Sequence, residues 1–135
     1  MLARAFAAGV PARWVVGDAF SGRSHELRQW LEERGRAYAL MIPKTNAGWY
    51  QGHRHLAEQL GERLCPAPAC GPWACLELSE ACAAGMRRWL LVRCDAADPD
   101  EHRYFLACGP EETAVEELVR VCESRWQIEE CLAEV

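Results

Sequence analysis

Two carboxylates are the residues of this chain whose positions suggest chemistry. From Thr113 onward, after Pro110, the sequence reads as one helix opened by a Thr113/Glu116 capping box. At about 100° per residue, Val115, Leu118, Val119, Cys122 and Trp126 fall on one apolar stripe. Glu129 lies inside that stripe, whereas Glu117, Arg120, Gln127, Glu130 and Glu134 take the opposite arc. An inward carboxylate is costly unless it is paired or coordinates a metal. Either Glu129 is such a group, or the helix frays near the chain end and lets the acid reach water. The second acid is Asp18, which closes the apolar run Trp14-Val15-Val16-Gly17. At the carboxyl end of a strand it would stand where open α/β sheets bind their ligands. The competing reading is a plain turn made by Asp18, Ser21 and Gly22.

The elements that must position these acids can be read on either side of them. After Asp18, Ser24 caps a helix in which Leu27, Trp30 and Leu31 share a face, and Gly35 stops it. Ala37 to Ile42 is a second near-continuous apolar run, closed by Pro43. A short helix between two such runs predicts a βαβ unit with a parallel sheet buried on both faces. Asn46 to His55 reads as a polar loop, Leu56 to Leu64 as a short helix, and Cys65 to Pro72 as a breaker-rich linker. Trp73 to Leu78, Arg88 to Cys94 and His102 to Cys108 read as strands. The fold class is therefore α/β, with a β-rich segment between the two acids.

Composition narrows the functions. Half of the residues are hydrophobic, which argues against a disordered chain, and the net charge of −5 does not announce an autonomous nucleic-acid-binding module. No stretch has the make-up of a secretory signal or the length of a membrane span, so a cytoplasmic protein is expected. Eight cysteines lack any C-x2-C pair. Zinc held by His53, His55, Cys65 and Cys70 is one reading of that segment; free thiols for most of the cysteines is the other. Among six tryptophans, Trp14, Trp89 and Trp126 fall where a core needs large apolar groups. Trp49-Tyr50, with Arg54 nearby, is the only aromatic pair that reads as exposed.

Taken in order, these segments resemble a known family. Trp14-Val15-Val16-Gly17-Asp18, Gly22-Arg23-Ser24, Leu27-Arg28 and Trp30-Leu31-Glu32 look like the second-aspartate region of DDE transposases of bacterial insertion sequences. Arg88-Trp89-Leu90-Leu91-Val92-Arg93, Tyr104-Phe105-Leu106 and Arg125-Trp126-Gln127-Ile128-Glu129-Glu130-Cys131 look like the third-acid region. Its signature in this group is Y-x2-R-x3-E-x6-K. Arg125 and Glu129 match it, Cys122 takes the tyrosine position, and the lysine would fall one position beyond Val135. The resemblance is weakest between Lys44 and Pro72.

The resemblance implies a partial RNase H-like core, a βαβ unit plus a catalytic helix, interrupted by a small β-rich insertion. In those terms, residues 1–45 are core carrying the second acid, 46–109 a loop and the insertion, and 110–135 the helix with the third acid. It implies Asp18 and Glu129 as catalytic carboxylates binding Mg²⁺, and Arg125 near the DNA backbone. An ordinary ion pair of Arg125 with Glu129 or Glu130 is the alternative for that residue. The family's first aspartate has no counterpart before Asp18. The expectation is thus a fragment without strand-transfer activity alone, whose partners are DNA, itself or a full-length transposase. A small non-catalytic metal-binding or regulatory α/β domain is the alternative function.

Overall fold

The computed structural model describes residues 14–17, 25–68, 70–79, 85–95 and 97–133, the side chains of 99 and 125–133 excepted. The predicted βαβ unit is present. Strand β1 (Trp14–Gly17) lies parallel to β2 (Ala37–Ile42), with Trp14 opposite Ala37 and Gly17 opposite Leu40. Helix α1 (His25–Glu33) precedes β2 in the chain and is stopped as its sequence suggests. Gly35 adopts φ 65°, its amide donates to the Glu32 carbonyl, and the Arg36 amide reaches the Leu31 carbonyl at 2.9 Å. That pair of bonds is a Schellman stop, which the missing Cβ of glycine permits.

The β-rich segment contributes to the same sheet. Strands β5 (Trp73–Glu77), β6 (Met86–Arg93) and β7 (Arg103–Pro110) pair antiparallel, and β7 also pairs antiparallel with β2. The sheet order is β1-β2-β7-β6-β5, which makes it a mixed α/β sheet. Both faces of its middle are covered, so β2 is buried at all of its positions and β7 at all but its ends. This double burial is why those runs are continuously apolar instead of alternating.

Helix α3 (Val115–Ala133) covers one face. Its Leu118, Val119, Val121 and Cys122 join Trp14, Val16, Ala39, Met41, Leu91 and Phe105 in one core cluster. The other face carries α1 and helix α2 (Ala57–Leu64), where Leu31, Ala57 and Leu60 meet Val15, Tyr38, Leu40, Leu90 and Leu106.

Several local expectations are corrected. Asn46 to His55 is not a loop: it forms the hairpin β3 (Ala47–Tyr50) and β4 (His53–Leu56). Gln51 and Gly52, both at positive φ (52° and 79°), make its two-residue turn. Left-handed backbone at both positions matches the twist of antiparallel strands. The Thr113/Glu116 capping box does not form either. The Thr113 hydroxyl donates to the Pro110 carbonyl at 2.6 Å, and the helix begins two residues later at Val115. Val115, expected on the buried stripe, is exposed in the first turn, while Val121 is buried instead. Trp30 is half-exposed, with the Arg34 guanidinium 4.0 Å above its ring; α1 buries a narrower face centred on Leu31.

Candidate functional site

The sequence-predicted acids stand at the margin of what is described. Asp18 lies outside the described residues, immediately after Gly17 at the end of β1. Arg125 and Glu129 are in the helical backbone of α3, and their side chains are outside the description. The structure does bring together the two elements concerned. Strand β1, which leads into Asp18, and α3, which carries Arg125 and Glu129, share one core through Trp14, Val16, Leu118 and Cys122. Glu129 follows Cys122 by seven residues, about two helical turns, so by register it continues the stripe that Cys122 starts. At the far side of the sheet the indole of Trp73 donates to Glu123 at 3.0 Å, tying α3 to β5.

Trp14 packs across the paired strands β1, β2 and β7. Its ring is fully buried and reaches across Ala37 to Gly109, where a Cβ would stand 2.5 Å from a ring carbon. Only glycine fits there.

The zinc reading of the central segment is overturned at one residue. Cys65 at the end of α2 is bonded to Cys94 beyond β6, so it supplies no thiolate. Loop closure brought it there: α2 packs on the sheet face close to the end of β6, and the two Cα atoms stand 5.5 Å apart. Among the described cysteines, Cys70, Cys75, Cys108 and Cys122 lie outside that disulfide. Burial pushes the Cys122 thiol well above its ordinary value and the Cys75 thiol up to about 11. Among the described residues, no group of three or more His, Cys, Asp or Glu is placed to hold a metal ion. No helix among them is long and apolar enough to cross a membrane.

A second constellation went unread in the sequence. On the face opposite α3, a cleft of about 840 Å³ opens between α1 and the β3–β4 hairpin. Its α1 wall carries His25, Arg28, Gln29, Glu32 and Glu33; Tyr38, Arg88 and Leu106 lie at its floor; Trp49 and Gly52 come from the hairpin. Glu32 is the hub. One of its carboxylate oxygens accepts from the Tyr38 hydroxyl at 2.6 Å, and the other from the Arg88 guanidinium. Tyr38 is held well above the ordinary tyrosine range, chiefly by burial and then by the hydrogen bond to Glu32, so it remains a donor. The Nε atoms of Arg28 and Arg88 are both buried and, among the described residues, meet no hydrogen-bond acceptor, but Arg88 is engaged by Glu32 through another nitrogen. The available signal was the spacing of His25, Arg28, Gln29 and Glu32, a polar stripe at helical period. Arg88 is 56 residues from Glu32, and no local pattern links them.

Comparison of the chain with family models, curated proteins and solved structures returned no match in any of the three.

Proposed function

We propose that this chain is part of the catalytic core of a DDE-type DNA transposase, ancestrally an enzyme of metal-dependent DNA cleavage and strand transfer. The observation that carries the proposal is the packing of α3 against β1, with Trp14 and Val16 meeting Leu118 and Cys122 in one cluster. An RNase H-like active site needs that relation, because the acid that ends a central strand must meet an acid borne by a helix on the sheet's face. The parallel β1–β2 pair supports the same reading. The position of β1 at the end of the described sheet fits a core whose opening strand belongs beside it.

In this reading Asp18 and Glu129 hold Mg²⁺, whose preference for a few hard carboxylate oxygens suits the pair. A metal ion held by these acids would supply activation of a water or 3′-hydroxyl and stabilisation of the leaving oxygen in phosphoryl displacement. Arg125 lies four residues before Glu129, one turn away on the helix, and its fixed charge is suited to a DNA phosphate. Asp18 and Glu129 are two of the three carboxylates the family uses, and the pair alone is expected to bind metal weakly.

The test is a calorimetric titration with Mn²⁺ of the parent chain and of three single variants. Asp18→Asn and Glu129→Gln are expected to weaken binding, and Glu130→Gln to leave it unchanged. Equal effects of Glu129→Gln and Glu130→Gln would overturn the assignment.

A further inference from the structure

The cleft beside α1 lies on the opposite sheet face from the core cluster that α3 joins, and its described lining shares no residue with that cluster. Its volume of about 840 Å³ is that of a small-molecule site, which commonly spans roughly 300–1,000 Å³. Three features restrict what fits.

The first is a cation with a buried donor that, among the described residues, has no acceptor. Glu32 is engaged by Tyr38 and Arg88, and Glu33 accepts from the Gln29 amide at 3.4 Å. Neither acid serves Arg28, whose buried Nε lacks an acceptor among the described residues. A buried guanidinium edge without an acceptor favours an anion, and Arg binds phosphate through parallel N–H donors. The second feature is an aromatic face. Trp49 is 48% exposed, although a large apolar ring is ordinarily hidden, and it lines the cleft from the hairpin side. The third is the rim. Arg54 stands opposite Trp49 in the hairpin register, His25 opens the α1 wall, and Ser79 adds a hydroxyl. An anion site at one wall and a planar apolar surface at the other call for a ligand with a phosphate and a flat ring.

We propose that the cleft between α1 and the β3–β4 hairpin binds a nucleoside phosphate, with Arg28 holding the phosphate and the indole of Trp49 stacking on the base. The inference does not rest on the transposase reading. The ligand has two sources, a free nucleotide or one unit of a single-stranded nucleic acid, and the recognition chemistry is the same for both. The Tyr38–Glu32–Arg88 network then has a positioning role: it fixes the floor of the cleft and keeps Glu32 from neutralising Arg28.

The experiment is calorimetric titration of the full chain with AMP, adenosine, inorganic phosphate and a short oligodeoxyadenylate. Binding of AMP assigns the free nucleotide; binding of the oligomer without AMP assigns the strand. In either case Arg28→Gln and Trp49→Ala are expected to weaken binding by on the order of tenfold, the scale of one lost base stack or phosphate contact. Trp49→Phe keeps a stacking face and is expected to retain most of the affinity. Arg34→Gln, which removes a cation lying over Trp30 and outside the cleft, is expected to change nothing. Thermal melting of each variant separates loss of the site from loss of the fold. The proposal is overturned if the parent chain binds neither AMP nor the oligomer, or if well-folded Arg28→Gln and Trp49→Ala bind as the parent does. It is also overturned if inorganic phosphate binds as tightly as AMP, which would leave an anion pocket with no role for the indole.

Discussion

At the scale of single residues, the packing of Trp14 on Gly109 is tighter than any other side-chain approach to a described glycine. The sequence identifies Trp14 as a core residue from its place in an apolar run, and the ring is indeed fully buried. Its partner across two strands was not legible, because Gly109 is 95 positions away and a glycine carries no hydrophobic signal. Gly109→Ala drives a methyl group into ring carbons 2.5 to 3.3 Å away, in a core with no room to yield. Overpacking of this kind costs about 1–3 kcal/mol. Chemical denaturation should register that loss, and Trp14→Phe in the same chain should restore part of it by withdrawing the outer ring. A Gly109→Ala variant as stable as its parent would mean that the β1 end of the sheet shifts easily. The same scale explains why the Glu32 hub went unread: Tyr38 and Arg88 reach it from β2 and β6, and only the sheet pairing brings them together.

At the scale of elements, legibility followed the strength of the local pattern. The βαβ unit was readable because two apolar runs flank a helical pattern with a glycine stop. The β3–β4 hairpin was not, because its strands are only four residues each and its turn begins with glutamine instead of asparagine or glycine. Such a hairpin is marginal alone. Contacts of its ends and flanks hold it: the Ser79 amide donates to the Trp49 carbonyl, and the Ala57 amide to the Asn46 carbonyl. Gln51 carries a left-handed backbone at φ 52°, which costs an ordinary side chain roughly 1 kcal/mol. Gln51→Asn is therefore expected to raise stability by about 0.5–1 kcal/mol, and an unchanged denaturation midpoint would argue that the turn is not held in that form. The Cys65–Cys94 bond acts between elements, closing a loop between the end of α2 and the end of β6. For a sequence separation of 29, chain entropy predicts a stabilisation of about 3–4 kcal/mol. Dithiothreitol should lower the melting temperature accordingly, and Cys65→Ala should remove the response. The pairing was invisible beforehand because the cysteines lack close spacing and a connectivity cannot be deduced from sequence alone.

At the scale of the whole molecule, both faces of the sheet bury groups that resist ionising, and this gives the fold a common alkaline limit. On the α3 face, burial raises Cys122 well above its ordinary 9.0 and holds Cys75 up to about 11. On the other face, Tyr38 is raised above 10.0 by burial and by its bond to Glu32. The unfolded chain gives up each of these protons first. Below a pH of about 9 the groups are neutral in both states and their contribution is complete; as pH rises from there through about 11, the unfolded state binds fewer protons and stability falls. Tyr38 extends the decline above 10.0, its unfolded value. Melting temperatures should thus be level near neutral pH and drop steadily across this alkaline window. The measurement belongs in a chain with Cys65 and Cys94 both replaced by alanine, so that thiolate attack on the disulfide adds no loss of its own. Cys75→Ala in that background should make the early part of the decline shallower. A melting temperature that stays level through pH of about 11 would mean that both thiols ionise in place, and that the two clusters are wetter than their burial implies.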